Sequence, residues 1–173
     1  MDVARRVELR CFEDERGVLR ELYHPERGLG IPEIGQTLCS TSRTGVYRGL
    51  HYQWPKPMGK LIVCLRGVIQ DVVVDIRRSS PDFGRVFSFA LRGNDRTGIW
   101  VPRGYAHGFM VEETATVLYF CDEVYDAQCD RAIQFIDPSL KILRPPKSRP
   151  FLVSPKDAAA PLLCDVPPQN LPE

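Results

Sequence analysis

Lys60-Leu61-Ile62-Val63-Cys64-Leu65-Arg66-Gly67-Val68-Ile69-Gln70-Asp71-Val72-Val73-Val74-Asp75-Ile76 is the stretch that decides the fold class. Two runs rich in Val, Ile and Leu flank an Arg-Gly pair, and short runs of this composition bounded by turn residues read as strands. The same rhythm continues outward: residues 46–52, 86–91, 99–101, 108–111 and 115–121 are expected strands. Turn signals divide them at Arg66-Gly67, at residues 79–84 and 92–95, and at Pro102-Arg103-Gly104. Helix signal is scarce, confined to a turn at Asp157-Ala158-Ala159-Ala160 that Pro161 closes. The pattern predicts an all-β barrel, sandwich or jelly roll. Nine of the 15 prolines lie between Pro138 and Pro172. Proline cannot donate to a central ladder, so this tail is expected to wrap the barrel rather than enter it.

Composition narrows the function. Lys and Arg (23) nearly balance Asp and Glu (22), so no global field draws the chain to nucleic acid or to a membrane. No apolar run approaches a membrane span, and residues 1–10 hold no apolar stretch of the secretory kind. Cys11, Cys39, Cys64, Cys121, Cys129 and Cys164 are scattered, with no C-x-x-C pair. Six free thiols in a cytoplasmic protein are expected. With no internal repeat or linker, residues 1–173 are expected to form one domain.

Candidate chemistry centres on histidine. His24 precedes Pro25 in a polar stretch and reads as a solvated loop residue. Pro102-Arg103-Gly104-Tyr105-Ala106-His107 resembles the second motif of the cupin superfamily, whose histidine often binds metal. Metal-binding cupins add a His-x-His pair and a carboxylate. Here the pair reads His51-Tyr52-Gln53 and the carboxylate position holds Lys60, a donor set poor for a divalent ion. Organic acid–base chemistry is expected instead. In Arg48-Gly49-Leu50-His51, strict alternation places Arg48 and His51 on opposite faces. For both to serve one pocket the strand must bulge or kink, which Gly49 permits.

Residues 14–17, 48–53, 60–63, 71–77, 80–84, 106–109 and 154–157, in this order, resemble the dTDP-4-dehydrorhamnose 3,5-epimerases, cupin-fold enzymes of deoxysugar biosynthesis. The resemblance implies a cupin-type jelly-roll barrel and a homodimer. It also implies an isomerase of a nucleotide-linked 4-keto-6-deoxyhexose that inverts carbon 3, carbon 5 or both, with no cofactor. His51 falls on the catalytic base, Asp157 on its paired carboxylate, Tyr119 on the general acid, and Lys60 on the cation beside the keto oxygen. Arg16, Glu21, Gln36, Arg48, His107, Tyr125, Asp130 and Lys156 fall on substrate-binding positions, Asp130 replacing the usual Glu. By residue type alone, Tyr119 reads as a core aromatic, Asp157 as a cap on the Ala turn, and Lys60 as a solvated strand end. Leu19, Leu38 and Ala127 depart from the family's Phe, Asn and Pro, and the first two are expected to loosen discrimination of the nucleotide base. A single-centre epimerase or ketoisomerase, a metal-dependent cupin and a non-catalytic sugar-binding cupin are the rival readings.

Overall fold

The structure, a computed structural model, describes residues 3–26, 33–142 and 151–173. In chain order these form β1 (Arg5–Glu8), β2 (Arg10–Asp14), β3 (Gly17–Glu21), β4 (Gln36–Ser42), β5 (Tyr47–Gln53), β6 (Lys60–Asp75), β7 (Val86–Arg92), β8 (Thr97–Val101), β9 (Tyr105–Cys121), β10 (Asp130–Ala132) and the short helix α1 (Pro155–Ala158). The turn expected at Arg66-Gly67 is absent, and so is the break expected between residues 111 and 115. β6 and β9 each run on as one strand, paired antiparallel from Lys60↔Cys121 to Asp75↔Tyr105. Register shifts between Cys64 and Ile69 replace the turn. Gly67 adopts a φ of 78° there, and a side chain on it would lie 2.3 Å from the Thr114 carbonyl oxygen. Arg-Gly thus serves a bulge that bends the strand, using the same conformational freedom a turn needs.

The bend lets β6 and β9 serve two layers. The first half of β6 and the second half of β9 carry β8, β1 and β4; the other halves carry β7, β5 and β10. Ile62, Ile99 and Val117 of the first layer pack with Val73, Leu91 and Phe109 of the second in one buried cluster, so the layers face each other. This is a jelly-roll barrel. Alternate residues turn outward: Leu61 and Val63 pack with Val7 and Trp100, while Val72, Val74 and Met110 pack under Leu163, Val166 and Leu171 of the tail. Covering both faces explains why residues 60–76 are almost continuously apolar. Each fully buried Val, Leu or Ile contributes roughly 1.5–3 kcal/mol.

Residues 151–173 wrap the second layer as the proline content implies, and residues 143–150 lie outside the described residues. The helical turn begins earlier than expected. Ser154 caps it, its hydroxyl accepting from the Asp157 amide, and Pro155 occupies the first turn, where a missing N–H costs nothing. β2 and β3 form a separate two-stranded sheet. Its apolar residues Phe12, Val18 and Leu19 are exposed, which is why no buried-strand pattern marks it.

β5 resolves the conflict between alternation and function. It pairs Arg48 with Phe109 and His51 with His107, so three steps on β5 match two on β9. Tyr47, Leu50 and Tyr52 therefore pack outward against the tail, and Arg48, His51 and Gln53 line the interior. Gly49 makes the slip with a φ of 97°, its α-carbon hard against β9: an added Cβ would meet the His107 carbonyl oxygen at 2.5 Å. Gly49→Ala is expected to cost about 1–3 kcal/mol of stability. Urea unfolding checks this, and an unchanged midpoint would contradict it.

Candidate active site

The barrel encloses a cavity of about 410 Å³. His51 enters it from β5. Its Nε2 lies 2.7 Å from Oδ1 of Asp157, and the other carboxylate oxygen accepts from the Gly49 amide at 3.3 Å. Asp157 is buried on α1, and the tail is fixed to the start of β5 and the residues before it by two backbone bonds, Tyr47 N–H to the Leu152 carbonyl and Leu152 N–H to that of Gly45. With Nε2–H donating to the carboxylate, Nδ1 is left as the basic nitrogen. Burial lowers the His51 pKa from its ordinary 6.5, while the hydrogen bond and charge of Asp157 pull it back up.

Tyr119 and Lys60 come from the first layer and His51 from the second, so they line the cavity from facing walls. Burial pushes the Tyr119 phenol up to about 12, against its hydrogen bond with Ser40 and the charge of Arg48. Burial also lowers the Lys60 ammonium, opposed by Cys121 and the carboxylates of Asp130, Asp71 and Asp122. All three groups are driven toward their neutral forms by the loss of water.

His107 joins the cavity wall and forms a second, wholly buried pair, its Nε2 2.8 Å from Oδ2 of Asp71. Asp71 is not among the site residues expected from the sequence, although a carboxylate inside a Val-rich run is a visible signal. At the mouth, Ser42 accepts from Arg48 Nε at 2.8 Å, Tyr125 donates to Asp130 at 3.0 Å, and Lys156 pairs with the same carboxylate. Gln36 does not line the cavity; its side-chain oxygen accepts from the Tyr125 amide at 2.8 Å. Lys156 and Asp157 border an adjoining cleft shared with Arg48 and His51. Arg16 and Glu21 stand apart, on the β2–β3 hairpin, where Arg16 pairs with Asp14 and its side chain is 85% exposed. Leu38 is on the cavity wall, whereas Leu19 is exposed on the same hairpin as Arg16, opposite Phe12.

The amide of Gln53 is engaged with backbone. Its oxygen accepts from Asp126 N–H at 2.7 Å and its nitrogen donates to the carbonyls of Lys56 and Val124. Among the described residues no three His, Cys, Asp or Glu side chains are grouped to hold a metal ion. What the cavity offers is a base, a cation and a phenol, the parts for moving a proton beside a carbonyl.

Residues 2–165 match the family described as dTDP-4-dehydrorhamnose 3,5-epimerase. An enzyme of that name from Sinorhizobium fredii is 36% identical over 166 residues, covering 91% of this chain and 84% of the relative. The crystal structure of dTDP-6-deoxy-D-glucose-3,5-epimerase from Legionella pneumophila, in complex with dTDP-4-keto-L-rhamnose, superposes with a TM-score of 0.93 at 38% identity, covering 98% of this chain and 93% of that one. ChmJ, a 3'-monoepimerase from Streptomyces bikiniensis in complex with dTDP-quinovose, gives 0.84 at 32% identity, with 93% and 84% covered.

The environment of His51 is open to direct test. In an NMR titration its imidazole is expected to titrate below 6.5. Asp157→Asn removes the interactions that favour the imidazolium and moves the midpoint lower still. A midpoint that rises in Asp157→Asn would contradict this assignment.

Proposed function

The chain belongs to the dTDP-4-dehydrorhamnose 3,5-epimerase family, and from that membership and the cavity's geometry we propose how its residues invert a carbon beside a ketone. The enzyme is a dTDP-sugar epimerase acting on a 4-keto-6-deoxyhexose. In such a sugar carbons 3 and 5 both flank the carbonyl, so removing a proton from either gives an enolate. His51 takes that proton, held in its tautomer by Asp157. Lys60 places positive charge where the enolate oxygen develops. Tyr119 returns a proton from the opposite wall, which inverts the centre. The observation that carries this reading is geometric: His51, held by Asp157, and the pair Lys60 and Tyr119 line one cavity from its two layers. Burial keeps His51 neutral near pH 7, and a phenol at about 12 is still protonated there. His107, Arg48, Tyr125, Asp130, Lys156 and Gln36 bind substrate or hold the residues that do.

Arg16 and Glu21 complete the site, in our reading, from a second copy of the chain. They sit on a two-stranded hairpin away from their own cavity, with Phe12, Val18 and Leu19 exposed around them. A homodimer that buries these apolar residues would carry Arg16, Glu21 and Leu19 to the partner's cavity mouth. We place the enzyme, as one domain spanning residues 1–173, in the cytoplasm. All six cysteines are unpaired, and among the described residues no helix is long and apolar enough to cross a membrane.

Incubation with dTDP-4-keto-6-deoxyglucose in deuterium oxide tests the chemistry. His51→Asn is expected to abolish deuterium exchange and inversion together. Tyr119→Phe is expected to slow inversion at least about a hundredfold while sparing exchange, which His51 performs on its own face. Equal loss of both activities in both variants would contradict the two-wall assignment, and full loss after chelation, restored by a divalent ion, would contradict metal independence. The assembly is tested by sedimentation. The natural chain is expected to be a dimer, and Leu19→Asp to dissociate it and raise KM about tenfold or more, roughly the loss of one charged contact. A fully active monomer would overturn it.

A further inference from the structure

β4 is an edge strand of the barrel, paired along its length with β9. Gln36, Leu38, Ser40 and Ser42 alternate along it and so share one face. Three of them hold a cavity residue: Gln36 accepts from the Tyr125 amide, Ser42 accepts from Arg48 Nε, and the Ser40 hydroxyl lies 3.2 Å from the Tyr119 phenol oxygen. Leu38 is part of the wall between them. Tyr119 stands opposite Leu38 in register and Ser40 opposite Val117, so Ser40 and Tyr119 meet across the diagonal of the strand pair. Among the described residues the Tyr119 hydroxyl hydrogen-bonds to Ser40. The rings of His107, edge-on, and Phe109, tilted, also flank that of Tyr119, each with its centroid 6.4 Å away.

We propose that Ser40 is a positioning residue for the general acid, fixing the direction of the Tyr119 hydroxyl and donating to the phenolate that forms as its proton leaves. The inference rests on the reading of Tyr119 as the acid. When the phenol protonates the enolate, its O–H bond breaks, the enolate C=C pair forms the C–H bond at the inverted carbon, and a lone pair on the enolate oxygen re-forms the carbonyl. The phenolate left behind recovers a proton from solvent water, and His51 releases to water the one it took. Ser40 keeps its own proton throughout. A hydrogen bond to an ionised oxygen is about twice as strong as one to a neutral hydroxyl, so the Ser40 contact strengthens as the proton departs. That difference lowers the barrier rather than merely aiding binding. The direction of Ser40's effect on the Tyr119 pKa, downward against burial, agrees.

The isosteric pair Ser40→Thr and Ser40→Val tests this, since both place a branched side chain on the strand and one lacks the hydroxyl. With dTDP-4-keto-6-deoxyglucose in deuterium oxide, Ser40→Val is expected to slow inversion about tenfold relative to exchange, while Ser40→Thr keeps the natural ratio. In a Tyr119→Phe background, Ser40→Val is expected to change nothing further. Equal inversion-to-exchange ratios in the Val and Thr variants would overturn the inference, as would the same added loss from Ser40→Val with and without the phenol. Natural inversion in Tyr119→Phe itself would overturn the acid assignment beneath it, a separate result from either.

Discussion

A barrel strand presents alternate residues to its interior, so Arg48 and His51, three apart, cannot both face one cavity on a regular strand. The slip at Gly49 removes that constraint, and much of the site follows from it. It turns His51 inward, leaves Leu50 and Tyr52 outward as the floor on which the tail packs, and aligns the Gly49 amide with Asp157. The tail packs there because Leu163, Val166 and Leu171 cover the outer face of the layer. That packing brings a carboxylate 106 residues distant in sequence within 2.7 Å of the imidazole. Stability and catalysis share one seam. The apolar contacts that hold the tail also hold Asp157 against His51, the base of the proposed mechanism.

The interior then sets the protonation states. Water is displaced by Phe109, Met58 and Leu38 on the cavity wall, and burial shifts His51, Lys60 and Tyr119 toward their neutral forms. For a reaction that makes an enolate and then quenches it, this bias is useful at both ends. A neutral imidazole can accept a proton and a neutral phenol can give one. In the proposed mechanism the depressed ammonium of Lys60 gains most when negative charge arrives on the substrate oxygen, because its own burial is then compensated.

The sequence disclosed these features unevenly, for physical reasons. The Val- and Ile-rich runs of β6 and β9 announce strands, yet their continuity through residues 66–67 and 112–114 is invisible locally. A bulge and a turn draw on the same glycine. β1, β2, β3, β4 and β10 pass unnoticed because edge and hairpin strands bury few side chains, as the exposed Phe12, Val18 and Leu19 show. The need for a kink at Gly49 was legible from Arg48 and His51 alone, since alternation is a rule of geometry. The pairing of Asp157 with His51 was not legible from spacing and came from resemblance to a family. Ser40 and Ser42 carry no local signal, since a hydroxyl on an edge strand looks like ordinary surface until the register sets it beside a phenol or a guanidinium.

The central claim is that one sugar carbon lies between two walls, with a base on one and an acid on the other. A crystal structure of the His51→Asn variant with dTDP-4-keto-6-deoxyglucose bound tests it most directly. The sugar ring is expected to lie between residue 51 and the Tyr119 hydroxyl, with its keto oxygen within hydrogen-bond reach of Lys60. A ring whose carbons 3 and 5 both lie on the same side of residue 51 and Tyr119, or a keto oxygen turned away from Lys60, would contradict it.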